Sequence, residues 1–206
     1  MPFLGSSPAR GLVGSADIDD NAVTLAKMAH GTANQNISYD GSGVPVDVAL
    51  SAGKILQVVS TTKTDTFSTT SDSFVDVTGL TVSITPAATS SKVLVIASVV
   101  WTNVGGTGHH FYGRLMRDST VLHVGASPSS RVAASFGGNT VNTGSTETSS
   151  INFLDSPSST SALAYHIEAR SQTSGQGVMV NRSQNDSDAL PYNRTASTIT
   201  AMEIGA

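Results

Sequence analysis

The chain has 206 residues, a formal net charge of −4 and 11 basic residues that form no run. Neutralising several phosphates takes clustered Lys or Arg, so nucleic acid and an anionic membrane surface are not expected partners. Cysteine is absent, which excludes disulfides and thiolate metal sites, and no apolar run approaches the roughly 20 residues that span a bilayer.

Only 13% of the residues are charged, while Val, Ile, Thr, Ser, Asn and 19 Gly are abundant. Disordered chains show the reverse balance, with many charges and few β-branched residues. This composition fits pleated, half-buried surfaces, so an all-β protein with polar, weakly charged faces is expected.

Residues 1–14 are rich in Pro and Gly, with Phe3, Leu4, Leu12 and Val13 as apolar handles. They read as an extended peptide that orders only against a partner. They lack the basic start and apolar core of a signal peptide. Residues 15–53 read as a neck. A short helix is predicted over 16–30, capped by Asp17 or Asp20 and closed by Gly31. Its apolar set, Ile18, Val23, Leu25 and Met28, is too small to offset the entropy of ordering the segment alone, and winding with copies of itself would bury it. Tyr39-Asp-Gly-Ser-Gly43 is a turn cluster, and Pro45 bars the weakly alternating stretch after it from a central strand.

From Lys54 onward the pattern becomes that of short strands. They are expected at Ile55–Val59, Thr66–Ser68, Ser73–Thr78, Leu80–Thr85, Val93–Trp101, His109–Asp118, Thr120–Gly125, Arg131–Phe136, Ser150–Asp155, Leu163–Arg170, Val178–Asn181 and Ser197–Ile204. Leu80, Val82 and Ile84 alternate strictly; Val93–Trp101 is almost continuously apolar and reads as a central strand buried on both faces. Asp118-Ser119 joins two strands as a hairpin turn. Loops fall at 137–149, 171–177 and 182–196. Many short strands at regular spacing predict an antiparallel jelly-roll sandwich head over 54–206, carried on a thin oligomeric N-terminal stalk.

Two stretches resemble bacteriophage tail-fibre proteins. The first is Met1-Pro-Phe-Leu-Gly-Ser6 with Ile18-Asp-Asp-Asn-Ala-Val-Thr-Leu-Ala-Lys27 and Asp40-Gly-Ser-Gly-Val-Pro45. The second is Val75-Asp-Val-Thr-Gly-Leu-Thr-Val-Ser-Ile-Thr-Pro86, Ser91-Lys-Val-Leu-Val95, Gly113-Arg-Leu-Met-Arg-Asp118 and Ile199-Thr-Ala-Met-Glu-Ile204. The resemblance implies a homotrimer with a jelly-roll head similar to the C1q/tumour-necrosis-factor fold. It implies docking to another virion structural protein through the N-terminus, and binding of a host cell-surface glycan or protein by the head. It supplies no catalytic or ligand residue that transfers position by position.

The residues themselves offer little chemistry. No Gly-x-Ser-x-Gly elbow surrounds any serine, so a hydrolytic triad has no sequence support. The acids Asp155, Glu168, Asp186 and Asp188 read as solvated groups rather than a glycosidase pair. Gly105-Gly-Thr-Gly108 lacks the Lys and the following helix of a phosphate loop. His109 and His110 point to opposite faces if they lie in a strand, so within one chain they cannot share an ion; on a threefold axis one of them could meet its copies. No catalytic site, metal or cofactor is expected. Trp101 reads as core or subunit packing. Asn-x-Ser/Thr patterns at Asn36, Asn181, Asn185 and Asn193 are what chance gives in such a composition.

The segment 181–194 stands apart. Arg182, Asn185, Asp186, Asp188, Tyr192, Asn193 and Arg194 combine hydrogen-bonding groups with one aromatic, the residue types of adaptable recognition loops. The expected function is a non-enzymatic tail fibre that attaches the virion to a bacterial surface, with a capsid-bound decoration fibre of structural role as the alternative.

Overall fold

The structure is a computed structural model that describes residues 35–39, 45–49, 53–104, 108–126, 129–140 and 142–205. The chain divides into two compact units, Met1–Leu50 and Ser51–Ala206. The docking peptide with Phe3, Leu4, Leu12 and Val13, and the neck helix with Ile18, Val23, Leu25 and Met28, lie outside the described residues. In the first unit, β1 (Gln35–Tyr39) and β2 (Pro45–Ala49) form an antiparallel pair in which Tyr39 faces Pro45. Pro45 begins β2, which among the described residues pairs with β1 alone.

The second unit is all-β and antiparallel. Its strands are β3 (Ile55–Lys63), β4 (Phe67–Thr69), β5 (Val75–Ile84), β6 (Lys92–Val104), β7 (Phe111–Arg117), β8 (Thr120–Leu122), β9 (Phe136–Gly138), β10 (Glu147–Asp155), β11 (Leu163–Ser171), β12 (Gly177–Val180) and β13 (Ser197–Ile204). In the first sheet β3 pairs β13, β13 pairs β6, and β10 pairs the other edge of β6; β12 and β4 extend β13 and β3 alongside the far end of β6. In the second sheet β5 pairs β11 and β11 pairs β7, while β8 and β9 share the remaining edge of β7. Taking each pair of short strands as one lane gives the two interleaved four-lane sheets of a jelly roll, as expected from the strand spacing.

Alternation along the strands puts one face of each sheet into a shared core. Val93, Val95, Ala97, Val99 and Trp101 of β6 meet Tyr165, Ile167 and Ala169 of β11 and Leu80, Val82 and Ile84 of β5, all buried. Trp101 is core, as read from the sequence, and packs on Phe111 and Phe136 with ring centroids 3.5 and 4.3 Å away. Gly113 makes this possible: a Cβ there would lie 2.3 Å from Phe136 Cζ.

Four expectations need correction. The β6 strand is central but, among the described residues, is covered on one face, with Ile96 37% exposed on the other. The two strands expected on either side of Gly79 are one, β5, because Gly79 carries the chain through φ +82° and the pairing jumps from Glu168–Asp76 to His166–Thr81. Residues 131–135 are not a strand; only Phe136–Gly138 pairs with β7. His109 and His110 precede β7 rather than lying in it, and His109 Nε2 sits 3.3 Å from Gln176 Nε2.

Candidate functional site

The loop between β12 and β13 is built from its base upward. Asn181, fully buried at φ +64°, donates to the carbonyls of Lys63 and Asp65 at 2.8 and 3.0 Å and accepts from Ser197 Oγ at 2.6 Å. A buried amide with its donors and acceptor matched in this way fixes the exit of β12 and the entry of β13 together. It also makes Asn181 inaccessible to a glycan, whatever its sequence pattern.

Above this base Arg182 and Arg194 face each other across an isolated antiparallel bridge. Two guanidinium groups brought this close need an anion between them, and Asp186 supplies it. Asp186 accepts from Arg194 Nε and Nη2 at 2.6 Å each and from Arg182 Nη1 at 2.9 Å. The hydrogen bonds from Arg194, with the charges of both arginines, hold the Asp186 carboxyl below the ordinary carboxylate range. Arg182 also lies against Met179 Sδ, 2.9 Å from its Nη2. Farther out, Asn185 Oδ1 accepts from the Ser187 amide at 3.0 Å and hydroxyl at 2.7 Å, closing an Asx-type turn.

The structure therefore divides the seven recognition candidates. Arg182, Asp186 and Arg194 form a mutual clamp, and Asn185 is turned into its own backbone. Asp188, Tyr192 and Asn193 line an open depression of about 460 Å³ together with Asp186 and Arg194. Leu190 on its rim is 95% exposed. Its neighbour Pro191 faces Gly144 of the preceding loop, where the Asn185 amide donates to the Thr143 carbonyl at 3.1 Å. Leu190 is not among the seven residues that the sequence singles out. Its signal, a large aliphatic residue beside proline in an otherwise polar loop, was present.

The other acids are not solvated as expected. Asp155, buried at the end of β10, accepts from Arg117 Nη1 at 2.6 Å and Tyr165 Oη at 2.7 Å. Glu168, mid-strand in β11, accepts from Arg114 Nε at 2.5 Å.

The outer faces of the two sheets differ in chemistry. On the first, register places Leu154, Leu94, Met202 and Val58 in one row across β10, β6, β13 and β3. The next row reads Asn152, Ile96, Thr200 and Ser60, and the next Ser150, Ser98, Thr198 and Thr62. Leu154 is 47% and Val58 54% exposed, and none of these twelve positions is charged. On the second sheet the same kind of face carries Asp76, Arg114, His166, Glu168 and Arg170 beside Tyr112 and Phe74, whose ring lies 4.1 Å from Arg114 Cζ.

No family model matches the chain, and no curated protein matches it in sequence. Among solved structures the chain is similar to one of the Gx strain of infectious bursal disease virus, at 12% identity and a TM-score of 0.38, covering 82% of this chain and 44% of that one. A mutant VP2 protein of infectious bursal disease virus, in derived particles, aligns at 16% identity and a TM-score of 0.36, with coverage of 82% and 40%. The VP2 subviral particle of that virus aligns at 14% identity and a TM-score of 0.31, with coverage of 82% and 45%. The chain thus spans less than half of each of these proteins.

Proposed function

We propose that this chain is a non-enzymatic structural protein of a phage virion that assembles as a homotrimer and presents the 181–196 loop to a host-surface molecule. The observation that carries the reading is the contrast between the two outer faces. A face whose twelve central positions carry no charge, with an apolar row across four strands and Lys92 at its end, is costly to leave in water, and rows of Ser and Thr beside that row add hydrogen-bonding groups without a desolvated charge. The occupant that fits is another copy of this chain, and a threefold arrangement with this face turned to its axis closes on itself through one kind of heterologous contact. The resemblance of residues 1–45 and 75–204 to tail fibres supports the same assembly.

The loop supports recognition because its frame is rigid while its rim is not consumed. The clamp and the Asn181 base hold the backbone, leaving Asp188, Tyr192 and Leu190 to contact a ligand, with an aromatic ring for a sugar face and an apolar tip beside it. Three copies would allow each contact to be weak. A decoration fibre on the capsid is the second reading, favoured by the way Arg182, Asp186 and Arg194 neutralise one another and leave few charges for a partner.

The test is binding of the full chain to host-surface polysaccharides, compared with Tyr192→Ala and Leu190→Asp. Retention by the wild type and its loss in both variants supports attachment. Silence of the wild type, with the protein located on the capsid by labelled electron microscopy, favours the decoration role.

A further inference from the structure

We propose that the charged face of the second sheet binds one first-row divalent metal ion of the zinc class, through Asp76, His166 and Glu168. His166 and Glu168 are two apart on β11 and so project from the same face. Asp76 of β5 stands opposite Glu168 in the pairing. The jump in register beside it sets Val77–Leu80 against the single residue Ile167, and Asp76 Oδ1 comes within 3.1 Å of His166 Nε2. One donor atom from each of the three residues lies within 4.8 Å of the other two. Tetrahedral zinc with bonds of about 2.0–2.1 Å sets its donors roughly 3.4 Å apart, so side-chain ends need move only about an ångström to close on an ion.

The surroundings fit a ligand set. His166 and Glu168 are largely covered, each side chain 14% exposed, while Asp76 at 69% leaves the site open to solvent. Arg114 bonds one oxygen of Glu168, Oε2, and is itself braced on the Phe74 ring. That contact orients the carboxylate as an outer-shell partner does and leaves its second oxygen for the ion. Arg170 on the same face is turned to the carbonyls of Ser171 and Gln172, so Arg114 is the guanidinium that bonds this carboxylate pair, and a cation is accommodated beside it without stripping Arg114 away. Nitrogen with two carboxylates is a donor set for zinc and its neighbours; calcium takes six to eight oxygens, more than these residues supply. Three protein ligands leave a fourth position for water or for an oxygen of an outside molecule. The ion would tie β5 to β11 across the irregular stretch of their pairing.

The experiment is zinc titration of the full, chelator-stripped chain by calorimetry, alongside thermal melts. One ion per chain and a saturable rise in Tm are expected, because an ion that binds only the folded state stabilises it by mass action. Asp76→Asn, an exposed position that leaves the fold intact, should weaken binding at least about tenfold, and His166→Ala should abolish the Tm shift. A double variant, His109→Ala with His110→Ala, should bind as the wild type does. Absence of saturable zinc binding by the wild type would overturn the site. So would binding left unchanged by Asp76→Asn and His166→Ala, or lost in the His109/His110 variant.

Discussion

A single oxygen, Asp155 Oδ2, accepts from both Arg117 and Tyr165 and closes the inside of the sandwich. Asp155→Asn removes the charge that pairs Arg117 and weakens both bonds, at an expected cost of about 2–4 kcal/mol read by urea denaturation. The same cluster sets an alkaline limit. Burial first, then the hydrogen bond and charge of Asp155, raise the Tyr165 ionisation above its ordinary value. The unfolded chain loses that proton near pH 10 while the folded chain keeps it, so the contribution is complete below about pH 10 and declines as pH rises from there through the folded value. Melts across pH 8–12 should stay flat and then fall, and Tyr165→Phe should flatten the decline. Asp186 has the opposite sign. Its depressed carboxyl gives the loop a clamp that is whole above the ordinary carboxylate range and is lost only as pH falls through the lower, folded value. The amide-exchange protection factors of residues 183–193, measured against the intrinsic rate at each pH, should therefore be unchanged between about pH 7 and pH 5 and fall only below about pH 4.

At the scale of the strand, β9 is the most informative element. Phe-Gly-Gly has poor strand propensity; it pairs with β7 because Phe136 is drawn over Gly113 onto Trp101. Gly113→Ala should force that ring aside, costing about 1–3 kcal/mol and altering the near-ultraviolet signal of Trp101. The same comparison explains which strands could be read from the sequence. The alternation of β13, the apolar run of β6 and the Asp118-Ser119 hairpin are local patterns, and the structure follows them. The β9 strand depends on its own Phe136 reaching Trp101 of a distant strand, and the continuity of β5 through Gly79 depends on pairing with β11 on both sides of the register jump. Neither leaves a local trace. In the loop, residue types were visible but geometry was not: nothing in the order Arg182, Asp186, Arg194 says that the acid is spent on the two bases.

For the whole molecule, the almost continuous apolar run of β6 marks a central strand but does not say which side faces the core or what covers the other. The row Leu154, Leu94, Met202 and Val58 turns that question into an experiment. These side chains lie on the outer surface, so charging them leaves the core between the sheets intact. In a self-associated face, however, each introduced charge loses its water and meets its own copies, a penalty of several kcal/mol per ion that no neighbouring acid relieves. The wild-type chain should sediment at three times its 21.1 kDa. A variant with Leu94→Lys and Met202→Lys should sediment as one chain with an unchanged far-ultraviolet spectrum. Thr81→Lys, on the charged face of the other sheet, should stay trimeric. A trimer that survives the paired lysines would move the interface away from this sheet, and a wild-type monomer would remove the reason for the apolar row altogether.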